Sequence, residues 1–194
     1  CRIKAFFGSD LSSTNSFKIS DLINIQSNIS KTDFNPGENL LVKGNAVKEN
    51  GKSVNGFAEL SVLDGNSTVL TQQGTVNNGV FSLNVTLPKE TRAGSYALRI
   101  SVYERDLSGL ETNNGFKDQI MSVKQVPTNL EIIFENSDVE PGTNMKVKAV
   151  LHDQTGVTID SLVFLTIKNS KDKILEQKEI SIDEFLEYEV QYNE

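Results

Sequence analysis

Apolar and polar residues alternate one for one along most of this chain, the period expected of half-buried β-strands. Leu40, Val42, Gly44 and Ala46 share one face of the first long run. Ala58, Leu60 and Val62 share a face of the next, followed by Phe81, Leu83 and Val85, then Tyr96, Leu98, Ile100 and Val102. Turn residues punctuate these runs. Pro presets φ and Gly admits a positive φ, so "NPG" before residue 38 and "ENG" after residue 48 open and close one strand. The alternation predicts seven strands, at 21–27, 38–48, 56–64, 67–72, 79–88, 94–104 and 116–125. Seven short strands in about 100 residues predict an immunoglobulin-like β-sandwich.

The same pattern then returns. "NPGENLLVKGNAVKENG" (35–51) lies over "EPGTNMKVKAVLHDQTG" (140–156), so that Pro36 answers Pro141 at a spacing of 105 residues (141 − 36). Ungapped, the match sets Met145, Val147, Ala149 and Leu151 in the places of Leu40 to Ala46, and Val163, Leu165 and Ile167 in those of Ala58 to Val62. It also sets Leu186, Tyr188 and Val190 in the places of Phe81, Leu83 and Val85. Such self-similarity marks tandem repetition. The second copy ends before equivalents of "AGSYALRISV" (93–102) and "GFKDQIMSV" (115–123).

The first twenty residues resemble those missing strands. Arg2-Ile3 answers Arg99-Ile100, Asp10-Leu11-Ser12 answers Asp106-Leu107-Ser108, and Phe17-Lys18 answers Phe116-Lys117. The expected fold class is therefore all-β, with tandem immunoglobulin-like sandwich domains of which one is complete and the flanking ones partial. Residues 1–20 are read as tail strands of a preceding repeat or an N-terminal donor segment. Residues 21–125 make a whole sandwich, and 126–194 a sandwich lacking its last two strands, with Pro127 stiffening the junction. Two readings of that arithmetic stand: a window cut from a longer tandem array, or the head of one chain completing the tail domain of another.

Composition narrows the partners. Among 194 residues the formal net charge is −7, and Lys and Arg are scattered, which disfavours nucleic acid and anionic membrane. No stretch approaches the roughly 18 apolar residues of a spanning helix, no signal peptide is recognisable, and the chain lacks an initiator Met, as a mature form or an excised piece would. Cys1 is the only cysteine, so neither an intradomain disulfide nor a cysteine-based zinc site is expected. "CRIKAFF" reads as a strand rather than the Ser/Gly-rich tether that follows a lipidated Cys.

Candidate chemistry is sparse. The only histidine, His152, sits in "LHDQTG" after the inward Leu151 and is expected to face solvent, with no second His to share a metal or activate a nucleophile. The aligned Val47, Lys48, Glu49 and Asn50 repeat none of its chemistry. "YERDLSGLETNNG" (103–115) gathers Asp106, Glu111, Asn113 and Asn114, oxygen donors of the kind calcium takes, but without a DxDxDG-like spacing. The related segment keeps only Asp10 and Asn15, and a solvated hairpin loop is the expectation. Three sequons are candidate glycosylation sites, at Asn28, Asn66 and Asn84. Asn66 is expected in a turn and Asn84 on an outer face. Outward aromatics are limited to Phe57 and Tyr103. No catalytic residue, metal or cofactor is expected.

The string from "FNPGENLLVKG" through "NGVFSLNVTLP" to "AGSYALRISV" resembles the macroglobulin-type and related immunoglobulin-like repeats of prokaryotic surface proteins. "DQTG" and "VPTNLEI" are similar to phrases in tandem repeats of archaeal surface proteins. The resemblance implies a sandwich outside the cell, serving as stalk, adhesin or envelope component. It carries over no catalytic residue, and the thioester motif of full macroglobulins is absent. The expectation is a non-enzymatic structural repeat of an extracellular cell-surface or filament protein, assembling head to tail by strand complementation in the second of the readings above. Expected partners are other copies, through exposed strand edges, and other surface proteins or glycans. The alternatives are an adhesin-like or carbohydrate-binding module, or an accessory domain of a secreted enzyme.

Overall fold

The computed structural model describes residues 1–136 and 138–191. Residues 192–194, the end of the last expected bead, lie outside the described residues, as does Ser137. Every regular element among the described residues is a strand. They run β1 Lys4–Phe7, β2 Asp10–Ser13, β3 Ile23–Ile29, β4 Asp33–Phe34, β5 Asn39–Lys48, β6 Gly56–Asp64, β7 Ser67–Val76 and β8 Val80–Thr86. There follow β9 Gly94–Arg105, β10 Glu111–Val123, β11 Pro127–Phe134, β12 Asn144–Asp153, β13 Leu162–Lys168, β14 Ile174–Ser181 and β15 Leu186–Glu189.

Compact grouping gives two units. The first holds Cys1–Thr32, Asn39–Thr86 and Ser95–Met121, and the second holds Asp33–Glu38, Leu87–Gly94 and Ser122–Glu194. Strands β3-β5-β8 form one sheet and β4-β10-β9-β6-β7 another. The alternation read from the sequence is the burial pattern: Leu40, Val42, Ala46, Ala58, Leu60, Val62, Leu98, Ile100 and Val102 are fully buried. Each large apolar side chain buried this way stabilises by about 1.5–3 kcal/mol before conformational entropy is counted.

In the second unit β11-β12-β15 form one sheet and β13-β14 another. Its core is small: Val147, Ile180 and Leu186 are buried, with half-buried Val163, Leu165 and Ile167 packed against them. The two copies share their turn chemistry. Glu38 N–H bonds the Asn35 carbonyl around Pro36-Gly37, and Thr143 N–H bonds the Glu140 carbonyl around Pro141-Gly142. Both glycines take the positive φ such turns require, +79° and +84°. Register agrees as well: Ile25 opposes Ala46 in the β3–β5 pair, and Leu130 opposes Leu151 in the β11–β12 pair.

Four expectations need correction. The ungapped spacing does not persist to β15: Val42 pairs with Leu83, whereas Val147 pairs with Leu186. Leu186 therefore stands in the place of Leu83 rather than Phe81, a spacing of 103 (186 − 83). The slip is even, so inward residues stay inward, and for that reason the sequence pattern hid it. Second, the strand expected at 116–125 begins at Glu111, because Asn113 turns inward to a carboxylate described below. Third, β7 runs to Val76 instead of ending at 72. Fourth, β4 was not expected. It is two residues long, pairs in parallel with Ser122 and Val123, and carries the fully buried Phe34.

Candidate functional sites at the hairpin turns and the outer faces

"HDQTG" is a hairpin-turn device. The Asp153 carboxylate accepts from Thr155 N–H (2.8 Å), the Thr155 hydroxyl (2.7 Å), Val157 N–H (3.1 Å) and the Gln125 amide (3.1 Å). Gly156, with φ +81°, lets the chain reverse, and its N–H bonds the Asp153 carbonyl. These donors, the Thr155 hydroxyl first among them and against the cost of burial, hold the Asp153 pKa down from 3.8 to about 2. A carboxylate whose folded pKa is depressed adds stability above its ordinary pKa and loses it as pH falls through the folded value. The contribution of Asp153 should therefore be whole above about pH 4 and fade toward pH 2. In an acid titration followed by circular dichroism, Asp153→Ala should flatten that limb while lowering stability at neutral pH. An unchanged acid limb would contradict the assignment.

Gln154 uses both ends of its amide. Its oxygen accepts from Val126 N–H (2.8 Å), and its nitrogen donates to the carbonyls of Thr91 (3.0 Å) and Lys124 (3.1 Å). His152 departs from its solvent-facing expectation. It lies on the outer face of β12 opposite Asn129, but its side chain is only 23 % exposed. Nδ1 sits 3.1 Å from the Gly156 carbonyl oxygen and Nε2 3.5 Å from Glu131, so the turn and β11 cover the ring.

The acidic loop expected at 103–115 contracts to 106–110, between β9 and β10, and repeats the same device. Asp106 accepts from Ser108 N–H (2.9 Å), the Ser108 hydroxyl (2.6 Å) and Leu110 N–H (3.0 Å), with Gly109 at φ +84°. The Ser108 hydroxyl and then the Leu110 N–H draw the Asp106 pKa below its ordinary value. "D-x-[ST]-G" is thus a turn signature in both places. The other members of the acidic set do not converge: Asn114 bonds Glu111 (2.7 Å), while Asn113 bonds Glu104 (3.0 Å). Asp10-Leu11-Ser12, matched to Asp106-Leu107-Ser108 by sequence, lies in strand β2 with Asp10 opposite Phe7, so that part of the likeness is not structural. Asn15 follows β2 and is exposed.

The residue that sequence reasoning passed over is Glu104. Its side chain is 12 % exposed, and it accepts from Lys48 Nζ (2.9 and 3.1 Å), Asn55 N–H (3.0 Å) and the Asn113 amide. Burial works against its charge, yet Lys48 and then the Asn55 N–H overcome it and lower the pKa. An inward acid within an otherwise alternating strand, opposite an inward-turned Asn, was the available signal. Glu104→Gln keeps the shape and leaves Lys48 without its counter-charge, and should cost about 1.5 kcal/mol in a denaturant titration.

The sequons stand where glycan could reach them: Asn28 is exposed on β3, Asn66 in the β6–β7 turn and Asn84 on β8. The two expected outward aromatics come together, but they are not alone: Phe6, Phe7, Phe116 and Phe164 are each more exposed than Phe57. Phe57 and Tyr103 are cross-strand partners with ring centroids 5.6 Å apart, and the Arg105 guanidinium lies 5.0 Å from the Tyr103 centroid. Cys1 is a free, exposed thiol. Among the described residues, no three His, Cys, Asp or Glu side chains converge in a metal-binding arrangement, and no helix is long and apolar enough to cross a membrane.

No family model matches the chain, and no curated protein matches it. Solved structures do resemble it. Trypsin-activated alpha-2-macroglobulin from Escherichia coli aligns at 15 % identity with a TM-score of 0.42, over 89 % of this chain and 13 % of that one. A Salmonella alpha-2-macroglobulin mutant aligns at 13 % identity and a TM-score of 0.42, over 100 % of this chain and 15 % of that one. The sporulation control protein Spo0M from Bacillus subtilis aligns at 10 % identity and a TM-score of 0.38, over 82 % and 90 %. The chain thus spans about one-seventh of the macroglobulins it resembles.

Proposed function

We propose that this chain is a non-enzymatic structural repeat of an extracellular cell-surface or filament protein. The observation that carries the reading is repetition in three dimensions. The same strands, opened by the same Pro-Gly turn, pair in the same register 105 residues apart (151 − 46). Beads in series span distance, and each contributes stability nearly independently of the others. The side chains that first suggested chemistry, Asp106, Asp153 and Gln154, support the reading because their polar atoms hold turns and backbone. Antibodies against the protein should label intact source cells without permeabilisation. Labelling only after lysis would overturn the extracellular assignment.

One observation favours a second reading, a glycan-binding module. Phe57 is 42 % exposed and stacks on Tyr103, a flat surface of the kind sugars stack against. A glycan array decides between them: reproducible binding abolished by Phe57→Ala would promote the second, and a blank array would retain the first.

A further inference from the structure

Strands β5, β9 and β10 each turn a polar side chain inward at the same end of the first unit. Lys48 continues the inward row of Leu40, Val42, Gly44 and Ala46 on β5, and Glu104 continues that of Leu98, Ile100 and Val102 on β9. Asn113 begins the inward row of β10 that includes Gly115 and Met121. Withdrawing an amine, a carboxylate and an amide from water costs free energy that apolar residues in these places would not incur.

One carboxylate holds the other two groups. Lys48 Nζ lies 2.9 Å from Glu104 Oε2 and 3.1 Å from Oε1, and Asn113 Nδ2 donates to the same Oε2 at 3.0 Å. The Asn55 N–H fixes Oε1 at 3.0 Å, so the carboxylate is held while the other two groups converge on it. A nucleophilic amine, a carboxamide carbon and a proton acceptor are thus gathered around a single oxygen atom. Groups positioned in this way react as though at very high local concentration.

We propose that Lys48 and Asn113 join through an isopeptide bond, with Glu104 carrying the protons. Glu104 takes a proton from the Lys48 ammonium, and the freed amine attacks Cγ of Asn113. The Nζ–Cγ bond forms and the Cγ–Nδ2 bond breaks. Two protons pass in turn from Nζ through Glu104 to Nδ2, which leaves as ammonium, and Glu104 returns to its starting state. One cation replaces another, and nothing is oxidised or reduced. A cavity of about 470 Å³ beside the group, lined by Lys48 and Asn113 with Ile19, Ser20 and Asn50, gives the leaving nitrogen a way out.

The bond ties β5 in one sheet to β10 in the other, across 65 residues (113 − 48). Such a closure restricts the unfolded chain as a disulfide does, without cysteine. It forms once and is not turned over, so it is a self-modification rather than an enzymatic activity. The inference stands apart from the extracellular assignment, since it needs only these three side chains.

The test is a mass. The full chain is purified, held warm under native conditions for a prolonged period and weighed intact by mass spectrometry. Its mass should fall short of the sequence mass by one ammonia, and a protease digest should release the Lys48 and Asn113 peptides as one branched species. Lys48→Arg, Asn113→Ala and Glu104→Gln, each checked for fold by circular dichroism, should keep the full mass. A folded unaltered chain that keeps the full mass would overturn the proposal. So would ammonia loss without the branched peptide, which would place the loss in a succinimide at an Asn-Gly pair such as Asn114-Gly115. The two measurements on the unaltered chain decide the matter even where a variant fails to fold.

Discussion

Leu60→Ala should cost about 3 kcal/mol, and the matched change Leu165→Ala about 1 kcal/mol. The two residues hold the same place in β6 and β13, 105 positions apart (165 − 60), and carry the same side chain. Their surroundings differ. Leu60 is fully buried, with β7 on one side of its strand and Ile100 of β9 directly opposite on the other. Leu165 is half-buried, beside an edge that no described strand covers. Truncating a buried Leu loses its transfer free energy and leaves a cavity, with measured costs of about 2–5 kcal/mol, whereas a side chain already in contact with water loses only part of the first term. Denaturant titration read by amide exchange in β6 and in β13 separates the two effects, because the two units need not unfold together. Equal costs would show that Leu165 sits in as closed a core as Leu60.

The same comparison shows how much of the fold was legible. Period-two alternation marked which side chains face inward at Leu40, Leu60, Leu98 and their equivalents, because burial on one face of a strand is written directly into residue type. The Pro-Gly turns were legible for the same reason: only a few residues adopt those dihedrals. Strand β4 was not, since two residues have no period and a parallel pairing with Ser122 and Val123 depends on a distant segment. The start of β10 was missed because Asn113 and Asn114 are turn formers by composition. What makes Asn113 a strand residue is a bond to Glu104, whose place in the fold no local pattern reveals. At the candidate sites residue types are legible in the sequence, and their surroundings only in part. "HDQTG" and "RDLSG" are the same turn, visible once Asp153 and Asp106 are seen accepting the N–H groups two and four residues ahead. A carboxylate that caps a turn and one that binds a cation look alike in a string of letters, and differ in where the donors lie.

Gly44→Ala should destabilise the first unit by about 3 kcal/mol, toward the upper end of what overpacking a core costs. Gly44 lies in the middle of β5 on the inward face, where its neighbours Val42 and Ala46 are buried, and it pairs directly with Phe81. A Cβ there would stand 2.3 Å from Phe81 Cζ and 2.6 Å from the Gln26 carbonyl oxygen. The ring is 2 % exposed, and the carbonyl belongs to the paired backbone of β3. The strand must shift or the ring must leave its rotamer, and both strain the β3–β5–β8 sheet. The second unit supplies the natural control. Its equivalent of Gly44 is Ala149, which is fully buried and lies beyond the last β12–β15 pair, Val147 with Leu186. Glycine and phenylalanine thus form a matched pair in the first copy, where the second has an alanine outside the β12–β15 pairing. Phe81→Leu should on this account recover much of the loss in the Gly44→Ala background, although alone it removes core volume. Thermal denaturation of the two single variants and the double variant measures the coupling, and strictly additive effects would refute the steric account.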